Sequence, residues 1–147
     1  MKFQSDMELR VKSDMELGVR GADPVHVLLV EDEFLISEWI AQSLSEQGFS
    51  VQAVSNAAEA LRALSAKPVD VLFTDINLPG DMDGAALARR AREMQPQLAV
   101  VYASARANML NAPDRVPGSS FVPKPYEPKF VGRLLAAALE AGARVPA

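Results

Sequence analysis

Five short apolar runs, spaced by amphipathic stretches, fill the chain from Val25 onward, and that alternation limits its possible folds more than any other feature. Val25-His26-Val27-Leu28-Leu29-Val30 is too short for a helix and apolar enough for a strand buried on both faces. A helical stripe of Leu35, Ile36, Trp39, Ile40 and Leu44 follows, with Gly48 where a left-handed cap costs little. Phe49–Val54 reads as the second strand. Asn56-x-x-Glu59 reads as a capping box opening a helix through Leu61 and Leu64, which must stop before Pro68. Val69–Thr74 is the third strand. Ala85, Leu87, Ala88, Ala91 and Met94 mark a helix ended by Pro96, and Leu98–Ala103 is the fourth strand. Ser120–Pro123 is the fifth. The last helix has Pro128 in its first turn and buries Val131, Leu134, Leu135, Ala138 and Leu139.

Strands alternating with helices predict a parallel sheet with helices on both faces. Pro123 has no N–H for a ladder, which puts the fifth strand at an edge. The expected architecture is therefore an α/β (βα)5 doubly wound sheet, flavodoxin-like, with strand order 2-1-3-4-5. Between the fourth and fifth strands, Pro113 and Pro117 oppose a full helix, because an interior proline costs about 3 kcal/mol. The fourth helix is thus expected to be shortened to a turn near Asn108, Met109 and Leu110, with Asp114–Gly118 as a loop.

Composition narrows the function. With 147 residues, 49% of them hydrophobic and 23% charged, the chain has enough apolar surface for one folded domain. It has no cysteine, which excludes thiolate catalysis and cysteine zinc sites, and its one histidine excludes multi-histidine metal sites. Net charge −4 argues against a nucleic-acid partner. No run is long enough for a membrane span and the acidic N-terminus is no signal peptide, so no membrane is expected and the expected compartment is the cytoplasm.

In doubly wound sheets, ligands bind beyond the carboxyl ends of the strands. Strand one ends in Glu31-Asp32-Glu33, strand three in Asp75, strand four in Ser104 and strand five in Lys124-Pro125. Each has an ordinary explanation alone: Asp32 as a helix cap, Ser104 as a cap, Lys124-Pro125 as a strand exit. Together they bring three carboxylates, a hydroxyl and an ammonium to one edge. Acids so close repel unless a cation shares the site, and an all-oxygen set suits Mg²⁺. A carboxylate there can attack phosphorus and form an acyl phosphate, with Lys124 and Ser104 binding the phosphoryl oxygens. His26, inside the first strand between valines, reads as a strand residue.

In these residues the sequence resembles the receiver domain of two-component response regulators over Val25 to about Gly142. The resemblance implies a metal pair at Glu31 and Asp32 and a phosphoacceptor at Asp75, followed by Pro79. It implies a backbone carbonyl ligand from Asn77, a hydroxyl switch at Ser104 beside small Ala105, a phosphoryl-binding Lys124 before Pro125, and a switch aromatic at Phe121. Glu31 stands where aspartate is commoner, and Phe121 lacks the hydroxyl of a switch tyrosine. The implied partners are a histidine kinase or histidine phosphotransfer protein and a downstream protein target, with the receiver a monomer or weak homodimer. By this resemblance the chain is a switch rather than an enzyme, although it assists its own phosphorylation and dephosphorylation. A flavodoxin-like cofactor carrier on the same fold needs a phosphate-binding loop where Glu31-Asp32-Glu33 stands. A phosphorylation-independent interaction module differs only in the chemistry of Asp75.

The expected organisation is an N-terminal tail over 1–24, a receiver over 25–142 and a short end over 143–147. That end is too short for a helix-turn-helix, so a stand-alone receiver is expected. In the tail, SDMELRV at 5–11 recurs as SDMELGV at 13–19, an imperfect octad repeat. Apolar residues on odd positions suggest strands there, whereas Ser5-x-x-Glu8 and Ser13-x-x-Glu16 suggest helix starts. Disorder or docking on a partner are the structural options for this tail, and a duplicated or misassigned start is the plain alternative.

Overall fold

A computed structural model describes residues 23–105 and 114–144, with side chains to 141. The tail repeat, the turn expected near Asn108–Leu110 and the last three residues lie outside the described residues. In chain order the elements are β1 (His26–Val30), α1 (Phe34–Glu46), β2 (Ser50–Val54), α2 (Ala57–Ala66), β3 (Val71–Asp75), α3 (Gly84–Met94), β4 (Ala99–Ser104), β5 (Ser120–Pro123) and α4 (Pro128–Arg144). All neighbouring strands pair in parallel, in the order β2-β1-β3-β4-β5. Pro123 sits on the edge strand, as its missing N–H requires.

The period of two along each strand sorts the core into two layers. Leu28, Val30, Leu72, Val100 and Tyr102 pack with Ala60, Leu64, Leu87 and Ala91 of α2 and α3. Val27, Leu29, Val71, Phe73, Val101 and Ala103 face the other way, onto Ile40 and Leu44 of α1 and Val131 and Leu135 of α4. Both faces of the central strands are thereby dry, which explains their unbroken apolar runs.

Local chemistry sets the ends of the elements. Gly48, at φ +103°, turns the chain out of α1. Asn56 caps α2 by accepting from the Glu59 amide at 2.8 Å. The expected box is displaced by one residue, since the Glu59 carboxylate reaches back to the Ser55 amide at 2.9 Å and its hydroxyl at 3.1 Å. Asp83 caps α3 through the Ala86 amide at 2.8 Å. β3 starts two residues later than its apolar pattern suggested, because the Val69 amide donates to the Gln95 side chain. It also runs one residue further, taking Asp75 into the ladder opposite Ala103.

The stripe expected on α1 needs correction. Ile40 and Leu44 are fully buried, but Leu35 is 79% exposed and Trp39 55%, with Phe34 also in solvent. At 3.6 residues per turn, Leu35 lies on the far side of the helix from Ile40, and the buried arc takes Ser37 instead. Trp39 is therefore a surface residue of α1, not part of the core. His26 is half-buried at the start of β1, where its amide donates to the Asp70 carboxylate at 2.8 Å. That is the end of the sheet opposite the acids of β1 and β3.

Candidate functional site at the carboxyl edge of the sheet

β1 and β3 are neighbours, so their last residues deliver Glu31 and Asp75 side by side. Both carboxylates are buried, at 3% and 7% exposure, and both point at one ammonium. Lys124 Nζ lies 2.6 Å from Asp75 Oδ1 and 3.4 Å from Glu31 Oε1. The other Glu31 oxygen accepts from the Glu33 amide at 3.0 Å, which folds the longer glutamate arm back into the site. Asp32 is exposed beside them, and one oxygen from each of Glu31, Asp32 and Asp75 lies within 4.8 Å of the others.

Lys124 reaches the site because its amide donates to the Ser104 carbonyl at 2.8 Å, which carries the chain from β5 across the end of β4. The Lys124–Pro125 peptide is cis. Ser104 is buried at the end of β4, in register with Pro123. Asn77 lies exposed in the loop two residues past Asp75. Phe121 is half-buried, opposite Tyr102 in the ladder and packed on the layer under α2 and α3. The structure thus gathers Glu31, Asp32, Asp75 and Lys124 at one point, with Ser104 and Asn77 at the neighbouring strand end and loop and Phe121 one strand away.

Two residues that matter here escaped sequence reasoning. A Cβ added to Gly84 would stand 1.9 Å from the Asp75 carbonyl oxygen, so the start of α3 presses directly on the strand that carries the acid. A glycine immediately after the capping Asp83, where helix propensity disfavours it, was the available signal. Tyr126 packs its ring against Phe73, centroids 5.8 Å apart, just beyond Lys124-Pro125.

The electrostatics follow from burial. Removal from water, the largest influence, works with the Glu31 carboxylate against the Lys124 hydrogen bond and charge, and the balance pushes the Asp75 carboxyl up to about 7. Burial works against the Lys124 charge, yet Asp75 and then Glu31 outweigh it and hold the ammonium above its ordinary value. The Tyr126 phenol is raised mainly by burial, then by the charges of Asp75 and Glu31.

A raised Asp75 has a consequence for stability. Its unfolded value is about 4, so between about 4 and about 7 the folded chain holds the extra proton. Without metal, stability therefore falls as pH rises through this window and levels off above it. Urea denaturation in chelator across that range measures the slope, which the Asp75→Asn variant is expected to flatten. An unchanged slope in the variant assigns the proton elsewhere.

Asp32 offers a second test. The N-cap of α1 is Glu33, with no side-chain capping bond, so Asp32 does not serve the helix. Its charge adds to those of Glu31 and Asp75, which Lys124 offsets only in part. Asp32→Asn is expected to raise stability in chelator by about 0.5 kcal/mol, a small gain because the group is exposed, and to weaken Mg²⁺ binding. Thermal melts and metal titration check both; a less stable variant with unchanged metal affinity contradicts the assignment.

The family model described as the response regulator receiver domain matches residues 27–136. This chain belongs to the response regulator receiver domain family. The receiver is 35% identical over 88 residues to the response regulator receiver protein CpdR of Brucella abortus, a match covering 60% of this chain and 72% of that one. It is 33% identical over 103 residues to the DNA-binding transcriptional regulator NtrC of Escherichia coli, covering 69% of this chain and 22% of NtrC. The crystal structure of a response regulator receiver protein from Sinorhizobium medicae superposes with a TM-score of 0.75 at 31% identity, covering 82% of this receiver and 98% of that chain. Among the described residues, no helix of the receiver is long and apolar enough to cross a membrane.

Proposed function

We propose that this receiver accepts a phosphoryl group on Asp75 from the phosphohistidine of a histidine kinase or phosphotransfer protein, and signals by binding a downstream protein. The observation that carries this reading is the Asp75 carboxylate, buried at a strand end, 2.6 Å from Lys124 and within reach of two further acids. In the transfer, the bond from phosphorus to the histidine nitrogen breaks and a bond to an Asp75 oxygen forms. The departing imidazole nitrogen takes up a proton. In this reading Lys124 neutralises the phosphoryl oxygens and Ser104, at the neighbouring strand end, donates to them.

The donor set fits Mg²⁺: three carboxylates, all oxygen, with Asp32 open to water. Glu31, Asp32 and Asp75 would hold the ion, with the Asn77 carbonyl as a further ligand. When bound, it supplies the positive charge that lets Asp75 stay ionised beside Glu31 and the incoming phosphate. Phe34 and Leu35, two and three residues beyond Asp32, stand exposed with Trp39 and give the phosphodonor an apolar surface beside the acids.

Acetyl phosphate tests the reading without a cognate kinase. Intact-mass spectrometry is expected to show one phosphoryl group added with Mg²⁺ and none in chelator. A chain that stays unlabelled in both conditions is an interaction module that works without phosphorylation.

A further inference from the structure

Tyr102 has no part in the chemistry just described, yet it is among the largest fully buried side chains of the receiver. It lies in β4 two residues before Ser104, on the same face of the strand, and directly opposite Phe121 of β5. Its hydroxyl oxygen accepts the Val116 amide at 3.2 Å. Val116 is 6% exposed, so this amide is satisfied inside the protein by a side chain from β4.

The segment around Val116 lies on the surface and is held from two sides. From α3, Arg89 Nη1 donates to the Asp114 carbonyl at 3.2 Å and Arg92 Nη1 to the Pro117 carbonyl at 3.0 Å. From β4 comes the Tyr102 hydroxyl. Within the segment, Arg115 Nη2 donates to the Ser119 carbonyl at 2.8 Å, and the Ser119 amide donates to the Val116 carbonyl at 3.2 Å. The arginines tie the segment to a helix that does not carry Ser104. Tyr102 ties it to the strand that does.

We propose that the Tyr102 hydroxyl is a positioning group that couples the end of β4 to the surface segment Asp114–Ser119, so that a shift of Ser104 towards an acyl phosphate on Asp75 is passed to that surface. This rests on the reading of Asp75 and Ser104 given above. Tyr102 is fully buried in the core layer that holds residues of α2 and α3, so its ring has little freedom to move alone. A displacement of the strand end therefore moves the hydroxyl relative to Val116, and the bond lengthens or re-forms as the strand settles. Tyr102→Phe keeps the packing and removes only this link, leaving the Val116 amide buried without a partner.

The test is hydrogen exchange over Asp114–Ser119 in the full chain, with and without beryllofluoride and Mg²⁺, alongside acetyl phosphate labelling of the same proteins. Wild type is expected to change its exchange in this segment when beryllofluoride binds. Tyr102→Phe is expected to take label at Asp75, to exchange the Val116 amide about fivefold to tenfold faster in the resting state, and to show no further change with beryllofluoride. Arg92→Gln separates coupling from simple anchoring. It loosens the segment at rest but keeps the difference between the two states. A labelled wild type without any difference, or a Tyr102→Phe variant with the full wild-type difference, overturns the coupling while leaving Asp75 as acceptor. A wild type that takes no label overturns the phosphorylation reading itself, and the coupling with it.

Discussion

Gly84→Ala is expected to destabilise the receiver by about 3 kcal/mol, the reverse of what the same change does in an exposed helix. In an open helix interior, alanine is about 1 kcal/mol better than glycine. Here the added Cβ would stand 1.9 Å from the Asp75 carbonyl oxygen and 2.8 Å from both the Asp75 carbonyl carbon and the Ile76 Cα. These are backbone atoms in a paired strand, and they cannot swing aside as a side-chain tip does. The Gly84 amide also donates to the Ile76 carbonyl at 2.7 Å, so the close approach is itself hydrogen-bonded. To admit the methyl group, α3 must back away from β3. Leu87, Ala88 and Ala91, all fully buried under the sheet, would lose their contacts. Equilibrium denaturation in urea checks the sign. A neutral or more stable Gly84→Ala means that α3 does not press on β3.

The fold was legible because its information is local and periodic. Apolar runs of strand length gave five strands, Pro123 marked an edge, and Gly48 and Asn56 marked a helix end and a helix start as capping chemistry requires. The site was legible for a different reason. In a parallel sheet every strand finishes at the same edge, so residues distant in sequence share a location once strand ends are known. Glu31, Asp75 and Lys124 could be grouped in that way, and the structure brings them together.

Other features depend on rotation and contact that no local pattern encodes. Leu35 and Trp39 belonged to an apolar stripe on paper, yet the angle at which α1 meets the sheet turns them to solvent and buries Ser37. The press of Gly84 on Asp75 is a contact between backbones, which side-chain patterns do not report. Tyr102 read simply as one apolar strand residue. Its hydroxyl acquires meaning from Val116, fourteen residues away on a segment whose path only tertiary structure decides.

The largest functional effect is expected from Asp75→Asn. Asparagine keeps the shape of the side chain and can still meet Lys124, but it carries no anion to attack phosphorus. Glu31 and Asp32 are no substitute, since Glu31 is folded onto the Glu33 amide and Lys124 and Asp32 lies open to solvent. Incubation with acetyl phosphate and Mg²⁺, followed by peptide mass spectrometry, tests the claim most directly. The account predicts a phosphoryl group on Asp75 in the wild type, lost on hydroxylamine treatment as an acyl phosphate should be, and no labelling of Asp75→Asn. Equal labelling of the two proteins, or a phosphoryl group found on another residue of the wild type, would contradict it.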